Sequence, residues 1–213
     1  MLRTTQPKRL VLLRHAKTVK NKQGKHGGGD ETLTERGLAQ IEVTSKQLSR
    51  LADSSSRYAL FCQPDVRCVS SATVLGSKLS VYPQVIDELR GIDMGAVAGL
   101  SDHQLALRHP LVALSYLQWR VGSSLHRPHI KDAESIEDFA ERSLRGLQAL
   151  LKADGVDTII FVGTTSGLLM LNHFLVHDGQ FDRRDYRFYE LDFDELATWQ
   201  FSLNEPPQLL ANK

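Results

Sequence analysis

The sequence predicts an α/β protein, a three-layer α/β/α sandwich around a mostly parallel central sheet. Three observations carry that reading: short, nearly unbroken apolar runs at 9–13 and 158–163, amphipathic helical stretches between such runs, and alternating aromatic segments towards the C-terminal end. An apolar run without alternation marks a strand covered on both faces, and strands alternating with helices place a parallel sheet between helical layers. The 213 residues suffice for one sizeable core and are few for two, so 1–213 is predicted as a single domain with an insertion or lid at about 91–133.

Taken in order, Arg9 to Arg14 reads as the first buried strand, ending at His15. A loop with three consecutive glycines, Gly27 to Gly29, follows and forbids regular structure there. Thr32 and Glu35 stand at capping-box spacing, and Leu38, Ile41, Leu48 and Leu51 recur at helical period, which predicts a helix over 35–52. Tyr58 to Cys62 reads as a strand and Val66 to Leu79 as a helix begun just after Pro64. A third strand is expected at Val85 to Leu89. The pattern then loosens from Gly91 to Ala133, with one helix expected at Leu111 to Arg120. Glu134 to Lys152 is strongly amphipathic, Thr158 to Gly163 is a buried strand, and Leu168 to Val176 is a buried helix. Alternation over 187–193 and 197–203 suggests a closing β-hairpin.

Composition removes several classes of function. Lys and Arg number 26 against 25 Asp and Glu, a net charge of +1, which lacks the basic excess of a nucleic-acid binder. The longest apolar runs fall far short of the roughly 20 residues of a membrane span, and no secretory-signal stretch precedes Arg14. Cys62 and Cys68 are too few for a disulfide framework and lack zinc-site spacing. A cytoplasmic enzyme or binding protein with reduced thiols, acting on neither nucleic acid nor membrane, is the expectation.

In parallel sheets ligands gather at the C-terminal strand ends, which puts His15, Pro64 with Arg67 close behind, and the run Gly163-Thr164-Thr165-Ser166 along one edge. An imidazole there can act as nucleophile, and an adjacent guanidinium can hold an oxyanion. Thr164, Thr165 and Ser166 before a helix can cap it, bind an anion through N–H groups and hydroxyls, or do both.

Four ordered segments now carry a resemblance: Leu10-Val-Leu-Leu-Arg-His-Ala16, Leu33-Thr-Glu-Arg-Gly-Leu-Ala-Gln40, Cys62-Gln-Pro-Asp-Val-Arg-Cys-Val-Ser-Ser-Ala72 and Glu134-Ser-Ile-Glu-Asp-Phe-Ala-Glu-Arg142. Together they resemble the histidine phosphatase superfamily, the group that includes cofactor-dependent phosphoglycerate mutases and short phosphohistidine phosphatases. The resemblance implies that His15 becomes transiently phosphorylated and that Arg14 and Arg67 grip the phosphoryl group. It also implies a phosphorylated small molecule or phosphoprotein as ligand; the residues themselves offer no ligand cluster for a metal, and no cofactor is expected.

The same resemblance implies two groups that this sequence replaces. A second histidine would follow Val162-Gly163, where Thr164 stands, and the proton-donating glutamate would fall at Gly91, with Ala98 at a further acidic position. Losing an oxyanion donor typically costs about 10²–10³ in rate and losing a general acid about 10²–10⁴. Glu88 and Asp93 could reach the leaving group from neighbouring positions but read first as ordinary surface or strand-end carboxylates, and a substrate with a good leaving group would need less acid. Two functions therefore stand. One is a phosphate-binding, weak or specialised phosphatase working through His15. The other is an inactive pseudophosphatase serving as phospho-ligand sensor or interaction module. Outside these motifs, His26 reads as a loop residue, His126 and His129 as a poor metal pair, and His173 and His177 as packing or helix-end residues.

Overall fold

The computed structural model describes residues 8–22, 24–25, 31–51, 57–121, 123–124, 126–183, 186, 197–202 and 205–212. The elements run β1 (Lys8–Arg14), α1 (Val19–Lys22), α2 (Glu35–Leu51), β2 (Tyr58–Cys62), α3 (Val66–Leu79), β3 (Pro83–Val85), α4 (Asp102–Arg108), α5 (Pro110–Arg120), α6 (Ile136–Leu151), β4 (Thr158–Gly163), α7 (Thr165–Val176), β5 (Ala197–Ser202) and β6 (Glu205–Asn212). Two 3₁₀ turns, Asp87–Leu89 and Gly95–Val97, lie between β3 and α4. The sheet order is β3-β2-β4-β1-β5-β6. β1 to β4 pair in parallel, while β5 runs antiparallel to β1 and β6 to β5.

Strand periodicity sorts the core into two layers. Val11, Leu13, Leu60, Cys62, Ile160 and Val162 point to one face and bury against Ile41 and Leu48 of α2 and Cys68, Ala72 and Leu75 of α3. Leu10, Leu12, Phe61, Ile159 and Phe161 point to the other, against Phe139 and Leu147 of α6 and Leu168 and Phe174 of α7. Because both faces of each central strand are covered, continuous apolar runs are what these strands require. Leu105, Tyr116, Trp119 and Ile130, from the segment expected as insertion or lid, bury in the second layer.

Several expected boundaries move. The third strand is Pro83–Val85, and 87–89 forms a 3₁₀ turn, because the carbonyls of Glu88 and Arg90 turn to the Arg142 guanidinium instead of a neighbouring strand. The cap of α2 is Thr34 rather than Thr32: its Oγ accepts from Gly37 N at 3.1 Å and its carbonyl from Leu38 N at 2.9 Å. Helix α4 went unforeseen although Ser101 and Gln104 form a reciprocal capping box. Helix α7 starts at Thr165, capped by Thr164, three residues ahead of its apolar run. The hairpin pairs 197–202 with 205–212, and the arm expected at 187–193 lies outside the described residues. Pro206 and Pro207 argue against a strand, yet β6 stands at the sheet edge, where a missing N–H donor is tolerated.

Candidate active site

β1, β2 and β4 end at one level. Arg14 lies opposite Gly163 and Cys62 opposite Val162, and the next residues extend the pattern: His15 N donates to Gly163 O at 3.0 Å, and Gln63 N to Val162 O at 3.1 Å. His15, Gln63 and Thr164 therefore line the C-terminal edge side by side. A further bond crosses it, from Thr164 N to Gln63 Oε1 at 2.6 Å.

His15 is buried, and its Nδ1 lies 2.9 Å from Ala16 O. A carbonyl can only accept, so Nδ1 carries the proton and Nε2 presents its lone pair. Burial, then the Arg67 cation, hold its pKa down to about 3, with Arg14 and Lys20 adding to the effect and the Ala16 bond opposing it. The imidazole is therefore neutral at ordinary pH, the state a nucleophile needs.

The backbone around it is held from both sides. Ala16 N donates to Ser71 Oγ at 2.9 Å, and that hydroxyl donates to Arg67 O at 2.7 Å, tying the His15 turn to α3. Thr34 donates to Lys17 O through both N, at 2.9 Å, and Oγ, at 3.0 Å. A Cβ on Gly37 would meet Lys17 O at 2.4 Å, so only glycine lets α2 approach this closely. The Leu33-Thr-Glu-Arg-Gly37 segment thus acts as a clamp on the loop that follows His15.

Arg67, in the first turn of α3, is buried and engaged by two carboxylates. Its Nη1 donates to Glu31 Oε1, and its Nη2 donates to Asp65 Oδ1 at 2.9 Å. Glu31 Oε2 also accepts from Arg67 N at 3.0 Å, which places that carboxylate at the α3 N-terminus. Lys20, itself buried, brings its Nζ to 3.6 Å from Glu31, and burial followed by Arg67 lowers its pKa. Arg14, Lys20 and Arg67 form a cationic group beside His15, partly balanced by Glu31 and Asp65.

Gly91 borders the same group. A Cβ built there would lie 3.4 and 3.5 Å from the Asp65 carboxylate oxygens and 3.5 Å from Thr164 Oγ. Its N–H donates to Asp65 Oδ2 at 3.2 Å. The segment is fixed from behind by Arg142, which donates to Glu88 O and Arg90 O at 2.8 Å and to Gly91 O at 3.1 Å, and pairs bidentately with Glu134. The 134–142 motif is therefore a bracket for the 88–91 chain.

Of the residues expected at the site, Arg14, His15, Arg67 and Thr164 come together, and Thr165 opens α7 half-buried beside them. Glu88 and Asp93 do not join. The Glu88 Cβ faces Gly146 on α6, and the Asp93 carboxylate accepts from Gly95 N at 2.8 Å. His126 bonds Arg183, His173 Nε2 accepts from Asp182 N at 3.0 Å, and His26 lies outside the described residues. Lys20, Glu31, Gln63 and Asp65 were missed by sequence reasoning. Asp65 had the one usable signal, an acid beside Pro64 at the start of a helix, and there it reads as an ordinary cap. Both cysteines are buried free thiols, with burial pushing Cys62 up to about 11. Among the described residues no group of three or more His, Cys, Asp or Glu side chains is placed to hold a metal, and no helix is long and apolar enough to cross a membrane.

This fold has counterparts. Residues 10–184 match the model of the histidine phosphatase superfamily, branch 1, and the chain belongs to that family. A bifunctional protein of Mycobacterium tuberculosis is 28% identical over 166 residues, 78% of this chain and 43% of that protein. An acid phosphatase of the same organism is 30% identical over 115 residues, 54% of this chain and 52% of that protein. The chain thus spans about half the length of these curated relatives, or less. Among solved structures, the alpha-ribazole phosphatase of Shigella flexneri superposes with a TM-score of 0.76 at 21% identity, covering 96% of both chains. A phosphoserine phosphatase of Entamoeba histolytica in complex with phosphoserine gives 0.73 at 20% identity, covering 97% of both. At such identities the likeness is one of fold.

Proposed function

We propose that the chain binds a phosphorylated small molecule or phosphoprotein at the β1–β2–β4 edge and hydrolyses it as a specialised phosphatase, through a phosphohistidine at His15. The observation that carries this reading is the state of His15: neutral, with Nδ1 anchored to Ala16 O, and set among Arg67, Arg14 and Lys20. Phosphoryl transfer asks mainly for in-line positioning and for neutralisation of the three equatorial oxygens, which fixed cations supply. Nε2 attacks phosphorus, the ester oxygen departs, and water then releases the phosphoryl group from the ring. Thr164 contributes a hydroxyl and the start of α7 where the family resemblance implies a second histidine, so this pocket holds less positive charge. The 91–133 segment would cover the bound substrate. Acid phosphatase and phosphoserine phosphatase relatives support a phosphomonoester as the substrate class.

A second reading, a pseudophosphatase that senses a phospho-ligand without turnover, has its own observation. Glu31 and Asp65 already occupy the Arg67 guanidinium, and Gly91 brings no acid. Incubation with p-nitrophenyl phosphate and with a phosphohistidine protein separates the two. Turnover and an acid-labile phosphoprotein in the wild type, both abolished in His15→Ala, are expected. A wild type that releases no phosphate and traps no phosphoenzyme leaves the sensor reading.

A further inference from the structure

The carboxylate of Asp65 is used unusually. Asp65 is the residue before α3, where an aspartate ordinarily accepts a hydrogen bond from a first-turn N–H. Its side chain makes no such bond. That role falls to Glu31, which reaches in to accept from Arg67 N. Asp65 instead turns across the site to Gly91 N and to the Arg67 guanidinium, one oxygen on each. Its carboxylate thus lies in contact with the space a side chain at position 91 would enter, and that space also faces the Thr164 hydroxyl. About a fifth of the side chain is exposed (21%), so the carboxylate is open to a ligand in the site.

We propose that Asp65, just ahead of α3, is the proton donor to the leaving group, acting from beside the space that a side chain at position 91 would enter. The inference rests on the phosphatase reading above. Without substrate, the carboxylate is held by Arg67. When a phosphoryl monoanion docks on Arg67, the guanidinium is shared between two anions, with Glu31 a third negative group nearby, and the substrate's own proton passes from the phosphoryl oxygen to the Asp65 carboxylate. In the first step His15 Nε2 forms the N–P bond while the P–O bond to the alcohol breaks, and Asp65 passes its proton to the departing oxygen, releasing a neutral alcohol. In the second step the Asp65 carboxylate takes a proton from the attacking water as the O–P bond forms and the N–P bond breaks. That returns neutral His15, inorganic phosphate and a protonated Asp65, which gives up its proton as phosphate leaves. The Thr164 hydroxyl, beside the same space, is positioned to steady the departing oxygen.

Leaving-group dependence tests this directly. Asp65→Asn keeps size and removes the acid, so kcat on an alkyl phosphate such as phosphoserine should fall about 100-fold or more. On p-nitrophenyl phosphate, whose leaving group departs without protonation, it should fall less than about 10-fold, and this rate also reports an intact pocket. Adding Gly91→Glu to Asp65→Asn should restore at least about a tenth of the alkyl rate, because the new side chain enters the same space. Equal losses on both substrates, no loss on the alkyl ester, or a wild type that cleaves only the aryl ester would each overturn the role of Asp65 while leaving His15 phosphorylation standing. A wild type inert on both esters, with no phosphoenzyme, removes the phosphatase reading itself.

Discussion

Two buried arginines, Arg142 and Arg67, look alike in composition of surroundings and differ in what they have left to offer. Their side chains are 6% and 11% exposed, and each meets carboxylate oxygen. Arg142 spends all five of its N–H donors: two on Glu134, three on the carbonyls of Glu88, Arg90 and Gly91. Among the described residues, Arg67 spends two side-chain donors, one on Glu31 and one on Asp65. A guanidinium saturated by backbone carbonyls is a bracket, because those acceptors cannot leave without unfolding the loop. One held by two side chains, both on rotatable stems, can be shared with an incoming anion. Burial and charge alone do not tell a functional arginine from a structural one; the identity of its acceptors does.

The comparison is broken most directly by substitution. Arg142→Met should destabilise the protein by about 3–5 kcal/mol in urea unfolding, since it strands a buried Glu134 and three carbonyls. Arg67→Met should cost no more than about half of that, while weakening vanadate binding at least about tenfold by titration. Equal stability losses would mean that both arginines are brackets.

A pH series sharpens the Arg67 side. The folded pKa of His15, about 3, lies below the ordinary value of 6.5. Between those values the unfolded chain binds a proton that the folded one refuses, so stability present above about pH 6.5 is lost as pH falls towards the folded value. The slope is about 1.4 kcal/mol per pH unit, or about 2 kcal/mol at pH 5. His15→Gln should remove this loss, read as a gain relative to wild type at about pH 5 that vanishes near pH 7.5. A parallel pH dependence in both proteins would place the His15 ring in water, away from the cations. The smallest expected effect is on the Arg142 side. Ser135 Oγ accepts from Asp138 N at 3.0 Å at the start of α6, so Ser135→Ala should cost about 1 kcal/mol in the same unfolding assay, with vanadate affinity unchanged.

What could be read ahead of the structure follows the range of the interactions involved. The strands at 58–62 and 158–163 and the helix at 66–79 are stated by their own apolar periodicity and agree residue for residue. His15 was legible as the residue ending a buried apolar run and Arg67 through the resemblance carried by 62–72, whereas the Ala16–Ser71–Arg67 bonds that tie the two segments together belong to the fold. Glu31 and Asp65 were not, because a carboxylate in a loop and one before a helix look like solvent-facing residues until the chain brings both to Arg67. Glu88 and Asp93, weighed as substitutes but read first as ordinary surface or strand-end carboxylates, stay out of the site for the complementary reason. Nearness to Gly91 along the chain suggested them, whereas the 3₁₀ turn and the Gly95 N–H point them elsewhere.

The layered α/β architecture and the strand-end Arg14-His15 pair were readable from hydrophobic period, a property of consecutive residues, and Arg67 from the resemblance of its segment to a known family. Only the tertiary structure decided which acids share the pocket. Asp65 and Gly91 are 26 positions apart, and Glu31 and Arg67 are 36 apart. Contacts over such spans are set by how α3, β4 and the 88–91 chain pack over the sheet edge, and no local pattern encodes them.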